Sequence, residues 1–274
     1  MIAATVVIPT HDHGPLLRYS VGSALAQTVR DIEVFVVGDG VPDVTRTLLR
    51  QMMHDDARIR FWDHPKGPRL GEIYRHIALA EARGRIVCYL SDDDLWLPNH
   101  IENVSQLLQN ADWAHSLPVY IQPDGGLGGF ISIDHTDPRD RLATLAGVSR
   151  VCLSCGAHTL EAYRRLPFGW RTTPVGTYTD LYMWQQFLTD PACHAISGAR
   201  ATALNFAGSH RIGWTLEHRE AELAIWARQI TDPEWRIGFV QDVLDKVYFK
   251  MVQFHLELKE AWYEKVRKRD EASV

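Results

Sequence analysis

Four apolar segments alternate with helical patterns in the first hundred residues, and this alternation constrains the fold more than any other feature. The segments are TVVIP (5–9), EVFVVG (33–38), RIRFW (58–62) and RIVCYL (85–90). Between them, apolar residues recur at the spacing of one helix face. Near-continuous apolar strands separated by amphipathic helices indicate a parallel sheet covered on both faces, which is an α/β architecture.

Local signals predict the limits of the helices between these strands. Pro15 suits a first helical turn, and Asp43 is a plausible N-cap of the second helix. The third helix is predicted to include Leu70 and to end at Gly84.

Acidic residues follow three of the four apolar segments. The segments are followed by PTHD (9–12), Asp39, HP (64–65) and SDDD (91–94). Parallel sheets bind ligands beyond the carboxyl ends of their strands, so these residues are expected to meet at one crevice. The repetition of carboxylates at this edge favours a shared cation or polar ligand, although independent helix caps are an alternative.

The overall composition argues against several classes of protein. The 274 residues carry a net charge of −5, which gives no general attraction to nucleic acid or anionic membranes. No secretion signal and no membrane span is evident, so we expect a cytoplasmic protein. Among four cysteines, Cys152 and Cys155 form a CxxC pair without the partners of a zinc site, and core packing is the favoured interpretation.

The remainder of the chain is expected to divide at residue 215. Residues 1–215 are predicted to form one domain with halves 1–112 and 113–215, and residues 216–274 a helical extension. The glycine-rich segment 123–130 lacks the Lys-Ser/Thr of a phosphate-binding loop and is predicted to be a turn or lid. Aromatic residues in the extension predict core packing or a homo-oligomer interface.

The order and spacing of these N-terminal segments resemble the family 2 glycosyltransferases over about residues 4–100. The segments are VVIPTHDHGPLLRYSVGSALAQT, DIEVFVVGDGVPDVT, RIRFW and GRIVCYLSDDDLWLP. The resemblance implies a GT-A fold, with a mixed, mostly parallel sheet and a Rossmann-like nucleotide-binding half. It also implies metal-dependent, inverting transfer of a sugar from a UDP-, dTDP- or GDP-sugar to a saccharide, lipid-linked or small-molecule hydroxyl.

The resemblance assigns donor contacts to residues at the first two strand ends. Asp39 matches the acid that accepts a hydrogen bond from the nucleobase, and Pro9, Thr10 and His11 would lie against the base and ribose. Arg75 would face the base or the diphosphate, with an exposed helix residue as the alternative. The sequence departs from the family pattern at Gly38, where an acid is frequent, and at His11-Asp12, which replace Tyr-Asn.

The acidic cluster matches the family's Asp-x-Asp motif with one departure. Ser91 replaces the first acid, so by position Asp92 would contact the ribose and Asp93 would bind Mn²⁺ or Mg²⁺. Oxygen ligands suit such cations, and one or two carboxylates suffice when phosphate completes the coordination. Asp94 is expected to be structural, accepting hydrogen bonds from amides in the turn.

Two further site residues are expected downstream. GTYTDLYMWQQFL (176–188) resembles the acceptor-side element of the family, which makes Asp180 the expected general base, with helix capping as the alternative. His210, together with Arg211, would reach the metal or the diphosphate.

Other functional classes remain open at this point. A nucleotidyltransferase would share the sheet and the acids, and a non-catalytic nucleotide-sugar-binding relative would tolerate Ser91 and Gly38. The Gln-x-x-Arg-Trp signature of processive synthases is absent from the sequence, which favours single transfers.

Overall fold

The four apolar segments form adjacent parallel strands of one sheet. The computed structural model describes residues 2–128 and 133–271. Within these residues the sheet order is β3-β2-β1-β4-β8-β6-β9-β5, with β7 paired to β6. The strands are β1 Ala4–Thr10, β2 Ile32–Asp39, β3 Ile59–His64, β4 Ile86–Tyr89, β5 Leu95–Trp96, β6 Trp113–Ile121, β7 Leu127–Gly128, β8 Gly156–Thr159 and β9 Ala195–Asn205.

Helices cover this sheet. The helices are α1 Leu17–Leu25, α2 Asp43–Asp55, α3 Glu72–Leu79, α4 His100–Leu107, α5 Pro138–Leu145, α6 Leu160–Arg165, α7 Thr179–Thr189, α8 Leu216–Gln229 and α9 Pro233–Glu271. Parallel pairing joins β1 to β2 and β4, β2 to β3, and β6 to β9, whereas β8, β5 and β7 pair antiparallel. The predicted mixed, mostly parallel α/β sheet is therefore confirmed.

Three predicted helix limits were wrong. Pro42 is the N-cap of α2 and Asp43 is its first residue. Leu70 lies before α3, because Gly71 takes a left-handed conformation with φ +61° and the helix begins only at Glu72. Gly84 lies beyond the end of α3; a Cβ there would be 2.2 Å from the Thr5 nitrogen, so close packing against β1 requires glycine at this position.

The irregular middle of the sequence contains the second half of the sheet. Strands β6 and β9 lie parallel to each other, and β8 joins β6 to β4. The predicted glycine-rich turn is present at residues 123–126, where the Asp124 carboxylate accepts a hydrogen bond from the Gly126 amide. Residues 129–130 of that segment lie outside the described residues, so the proposed lid is untested.

Two hydrophobic clusters form the core. The larger cluster lies around β1, β2, β4 and α7. The smaller one combines β5, β6 and β9 with α8 and α9, because Leu223, Ile230 and Phe239 are buried against residues such as Leu95 and Leu204. The expected domain boundary at residue 215 thus falls between segments that share one core cluster.

Two predictions concern cysteines and membrane spans. All four cysteines are free; Cys88, Cys155 and Cys193 are buried, and the Cys152 and Cys155 sulfurs lie 3.4 Å apart. Among the described residues, no helix has the length and apolar character needed to cross a bilayer.

Candidate active site

A cleft of about 590 Å³ lies at the carboxyl ends of β1, β2 and β4. Leu153, the segment before α7 and the first residues of α7 also line it. Seven residues predicted from the sequence line this cleft: Pro9, Thr10, His11, Asp39, Arg75, Asp92 and Asp180. They come from segments far apart in the chain. Thr10, Asp39 and Asp92 lie at or just after strand ends, as expected for a ligand site of a parallel sheet, whereas Arg75 and Asp180 lie on α3 and α7.

Asp39 lies at one end of the cleft, and its carboxylate accepts two hydrogen bonds. Its carboxylate accepts hydrogen bonds from Lys66 Nζ at 2.6 Å and from the Gly67 amide at 2.6 Å. His11 Nδ1 donates to the Asp39 carbonyl oxygen at 2.6 Å. Gly71 packs so closely that a Cβ would lie 2.5 Å from the Asp39 carboxyl carbon. The carboxylate is therefore fixed in position at the edge of the cleft.

The departure at Gly38 has a steric explanation. A Cβ at this position would lie 2.9 Å from the Phe61 ring and 3.2 Å from Val41. A second acid could not occupy this position without displacing the ring. Lys66, which the sequence analysis missed, supplies a charged group beside the remaining acid.

Arg75 is a buried cation with unused hydrogen-bonding capacity. Its side chain projects from α3, only 4% of the residue is exposed, and neither Nε nor Nη1 has a partner. Nη2 donates to the Leu70 carbonyl oxygen at 3.3 Å, and the guanidinium lies 4.6 Å from the centre of the Trp170 ring. Burial lowers the pKa of Arg75, opposed by the charge of Glu72. Because buried polar groups are normally paired, these two nitrogens indicate a place for an anionic or polar ligand.

Asp180 lies in the first turn of α7 and not at its N-cap, which is Tyr178. One carboxylate oxygen accepts a hydrogen bond from the Leu181 amide at 2.8 Å. Burial raises the pKa of Asp180, while backbone hydrogen bonds and the charge of Arg75 lower it. A partly buried carboxylate with a raised pKa is a stronger proton acceptor than an exposed aspartate, as a general base requires.

The three consecutive acids have different environments. Asp94 is 1% exposed and accepts hydrogen bonds from Ser154 Oγ at 2.5 Å, Asn205 Nδ2 at 2.9 Å and the Phe206 amide at 2.9 Å. Burial raises its pKa to about 7. Asp94 thus accepts amide hydrogen bonds, but its donors come from distant segments and not from its own turn.

Asp92 and Asp93 face His13 and a helix of the C-terminal region. His13 Nδ1 donates to Asp92 Oδ1 at 3.0 Å, and Arg219 Nη2 donates to Asp93 Oδ2 at 2.6 Å. One ligand atom from each of His13, Asp92 and Asp93 lies within 4.8 Å of the others, a set that could hold a cation. Burial and Asp92 raise the pKa of Asp93. The two acids are recognisable in the sequence, whereas no sequence motif distinguishes His13 or Arg219.

Two contacts of His13 favour different protonation states of its ring. Its hydrogen bond to Asp92 and the charges of both acids raise its pKa to about 9. Arg219 Nη1, however, donates to His13 Nε2 at 3.2 Å, which requires a lone pair on that nitrogen. The hydrogen bond from Arg219 therefore requires the neutral ring, whereas Asp92 and Asp93 favour the protonated one.

The expected metal ligand His210 lies elsewhere. It ends a short 3₁₀ helix, Gly208–His210, where it is exposed, and it does not belong to the cluster formed by His13, Asp92 and Asp93. Arg211 is buried and pairs with Glu222 at 2.6 Å, which accounts for its charge without a ligand. Among the described residues, the imidazole beside the acids is that of His13.

Comparison with known proteins identifies the family. The family described as Glycosyl transferase family 2 matches residues 5–148, more than half of the chain. This chain belongs to glycosyltransferase family 2. An uncharacterized glycosyltransferase of Rickettsia typhi is 32% identical over 108 residues, which are 39% of this chain and 32% of that protein. The match thus spans about a third of that relative's length.

A longer match is found in Escherichia coli. UDP-Glc:alpha-D-GlcNAc-diphosphoundecaprenol beta-1,3-glucosyltransferase WfgD is 25% identical over 198 residues, covering 70% of this family 2 chain and 72% of WfgD. Among solved structures, the mannosyltransferase PcManGT of Pyrobaculum calidifontis, in complex with GDP-Man and Mn²⁺, superposes with a TM-score of 0.52 at 18% identity. That match covers 82% of this chain and 71% of PcManGT. The likeness confirms the predicted GT-A fold.

Proposed function

We propose that this family 2 chain is a metal-dependent, inverting glycosyltransferase that moves one sugar at a time from a nucleoside diphosphate donor to an acceptor hydroxyl. The convergence of the predicted donor contacts and Asp180 on one cleft is the observation that carries the proposal. The cleft is lined by a buried arginine whose Nε and Nη1 have no partner, by a carboxylate of raised pKa and, at its edge, by an acidic cluster. Each group suits one demand of the reaction.

The donor is proposed to lie along the strand ends, with its nucleobase near Asp39. Uracil, thymine and guanine each offer a ring N–H that a fixed carboxylate can accept strongly. Pro9, Thr10 and His11 are proposed to contact the base and ribose, and Asp92 the ribose. Arg75 is proposed to donate hydrogen bonds from Nε and Nη1 to the nucleotide sugar. The names of the relatives mention UDP-Glc and GDP-Man as ligands of those proteins, so both donor types belong in the first screen.

The cation site is proposed to comprise Asp93 with Asp92 and His13. The two carboxylate oxygens suit Mn²⁺ or Mg²⁺, and phosphate oxygens would complete the coordination. The imidazole nitrogen is a softer ligand and makes Mn²⁺ the better candidate of the two. When bound, the cation would supply positive charge to the departing diphosphate. In this proposal His13 replaces His210 as the imidazole ligand.

Asp180 is proposed to take the proton of the acceptor hydroxyl. The hydroxyl oxygen would attack the anomeric carbon as the bond from that carbon to the diphosphate breaks, so that configuration is inverted. The contact from the Leu181 amide orients the carboxylate by holding one of its oxygens. The other oxygen is proposed to accept the proton.

The acceptor is proposed to be a saccharide on a lipid diphosphate, because a relative that covers 70% of this chain is a transferase named for such an acceptor. A nucleotidyltransferase is the weaker alternative, since family membership does not support it. A non-catalytic relative is disfavoured by Asp180 lying in the donor cleft. Self-association through the C-terminal helices and a cytoplasmic location stay predictions.

A nucleotide screen tests the proposal. Thermal denaturation with UDP, dTDP and GDP, each with and without Mn²⁺, should reveal a nucleotide that raises the melting temperature more when Mn²⁺ is present. Asp93→Ala should lose most of the metal-dependent part, whereas Asp31→Ala, an exposed matched control, should keep it. The matching nucleotide sugar should then glycosylate a lipid-diphosphate saccharide. The absence of any shift with every nucleotide would refute the donor site.

A further inference from the structure

Arg219 occupies the place beside the acids where a cation would bind. Its Nη2 lies 2.6 Å from Asp93 Oδ2, and its Nη1 lies 3.2 Å from His13 Nε2. Its side chain is 11% exposed. The guanidinium therefore contacts two of the three residues whose ligand atoms converge, and it does so from a helix outside the region matched by the family.

The position of Arg219 is fixed by the packing of α8. Thr215 caps the helix by accepting a hydrogen bond from the His218 amide. Leu223, one turn beyond Arg219, is buried in the smaller core cluster. Arg219 also donates to the Phe206 carbonyl oxygen at 3.5 Å. These contacts distinguish Arg219 from an exposed arginine that meets a carboxylate by chance.

A bound divalent cation and this guanidinium cannot keep the same contacts. Mg²⁺ binds oxygen at about 2.0–2.1 Å, and Mn²⁺ favours similar oxygen ligands. A cation held by Asp93 and His13 would lie within a few ångströms of Arg219, where two positive charges in a partly buried place repel strongly.

We infer that Arg219 is a built-in counter-ion that a divalent cation must displace from Asp93 and His13, so that loading of the cation site releases α8. This inference rests on the proposed function and adds the C-terminal helix to the donor site. Without the cation, Arg219 neutralises Asp93 and stabilises the apo protein. With the cation, α8 loses this contact.

Direct measurement of Mn²⁺ binding tests the competition. The electron paramagnetic resonance signal of free Mn²⁺ should give dissociation constants for the wild type, Arg219→Gln and Arg18→Gln. Removing the competing charge should tighten Mn²⁺ binding about tenfold or more in Arg219→Gln. Arg18→Gln is the matched control. Arg18, on α1, also pairs with α8, through Glu220 at 3.7 Å, but it has no ion pair with Asp92 or Asp93. This variant should stay within about twofold of the wild type.

The melting temperature provides an independent readout. Arg219→Gln should melt lower than the wild type without metal, since Asp93 loses its partner, and should gain more from Mn²⁺. Arg219→Lys keeps the charge and should bind Mn²⁺ more nearly as the wild type does. If Arg219→Gln does not fold, amide hydrogen exchange of the wild type decides: Mn²⁺ should accelerate exchange in residues 216–229.

Contrary results separate this inference from the proposed function. The inference is overturned if folded Arg219→Gln binds Mn²⁺ no more tightly than the wild type, or if Mn²⁺ leaves amide exchange in α8 unchanged. The proposed function survives either result, provided that a nucleotide and Mn²⁺ together still stabilise the wild type. If neither the wild type nor Arg219→Gln binds Mn²⁺, with or without nucleotide, the metal-dependent part of the proposed function fails as well.

Discussion

Asp180 offers the clearest test of chemistry at the scale of one residue. Asp180→Asn keeps the shape of the side chain and the contact with the Leu181 amide but removes the proton acceptor. Transfer should fall by about 100-fold or more, while the thermal shift caused by nucleotide should persist. Asp190→Asn, just after the same helix, is the control and should retain turnover. Near-normal turnover of Asp180→Asn would remove it from the role of base.

The protonation of Asp180 should also respond to Arg75. Burial raises its pKa above the ordinary aspartate value of about 3.9. Since the ionised form is the base, kcat/KM should fall as pH falls through this raised pKa. In ¹³C carboxyl NMR titrations of the free protein, Arg75→Met should move the midpoint higher, because the arginine charge favours the ionised form. Arg69→Met, at an exposed cleft arginine, should leave the midpoint unchanged; equal midpoints in all three proteins would contradict this coupling.

Residues found by sequence pattern differ from those that only the fold could reveal. Asp39, Arg75, Asp92 and Asp180 each follow a strand or lie in a recognisable motif, so their convergence could be predicted. Arg219 has no such signal, because its role depends on where α8 packs against the acidic turn, residues 91–94. The Gly38 departure is likewise explained only by the position of Phe61 in space.

At the scale of elements, the acidic turn is held by Asp94. Its carboxylate joins the turn between β4 and β5 to the 3₁₀ helix Leu153–Cys155 and to the end of β9, through Ser154, Asn205 and the Phe206 amide. Asp94→Ala would leave these buried donors unpaired. We expect the free energy of unfolding to fall by about 2–4 kcal/mol in urea denaturation. Asp31→Ala, exposed at the surface, should change it by less than about 0.5 kcal/mol. Equal values for the two variants would contradict a structural role of Asp94.

Strands with a continuous apolar pattern could be predicted from the sequence, and strands without one could not. Strands β1 and β2 are buried along almost their whole length and read as continuous apolar runs. Strand β8 has only four residues, and its His158 is buried against Tyr89 and Phe187. Burial lowers the pKa of His158 to about 4, so the ring is neutral there. A buried polar residue in a short strand gives no apolar run, and the second half of the sheet was therefore missed.

At the scale of the whole molecule, the core cluster shared across residue 215 links the C-terminal helices to the sheet. Leu223, Ile230 and Phe239 are each at most 5% exposed. Burial of such side chains contributes about 1.5–3 kcal/mol each, and their sum of roughly 5–9 kcal/mol approaches the entire stability of a typical domain. We propose that α8 and the start of α9 belong to the same folding unit as the sheet.

Truncation tests this proposal. A chain ending at residue 246 keeps Phe239 and all of α8, so it should unfold cooperatively and retain the thermal shift with nucleotide and Mn²⁺. A chain ending at residue 215 exposes the apolar residues of β5, β6 and β9 that contact α8 and loses Arg219. It should show no cooperative transition by circular dichroism. If the shorter chain instead melts at the temperature of the full chain, the C-terminal helices are accessory and the boundary at residue 215 is a true domain boundary.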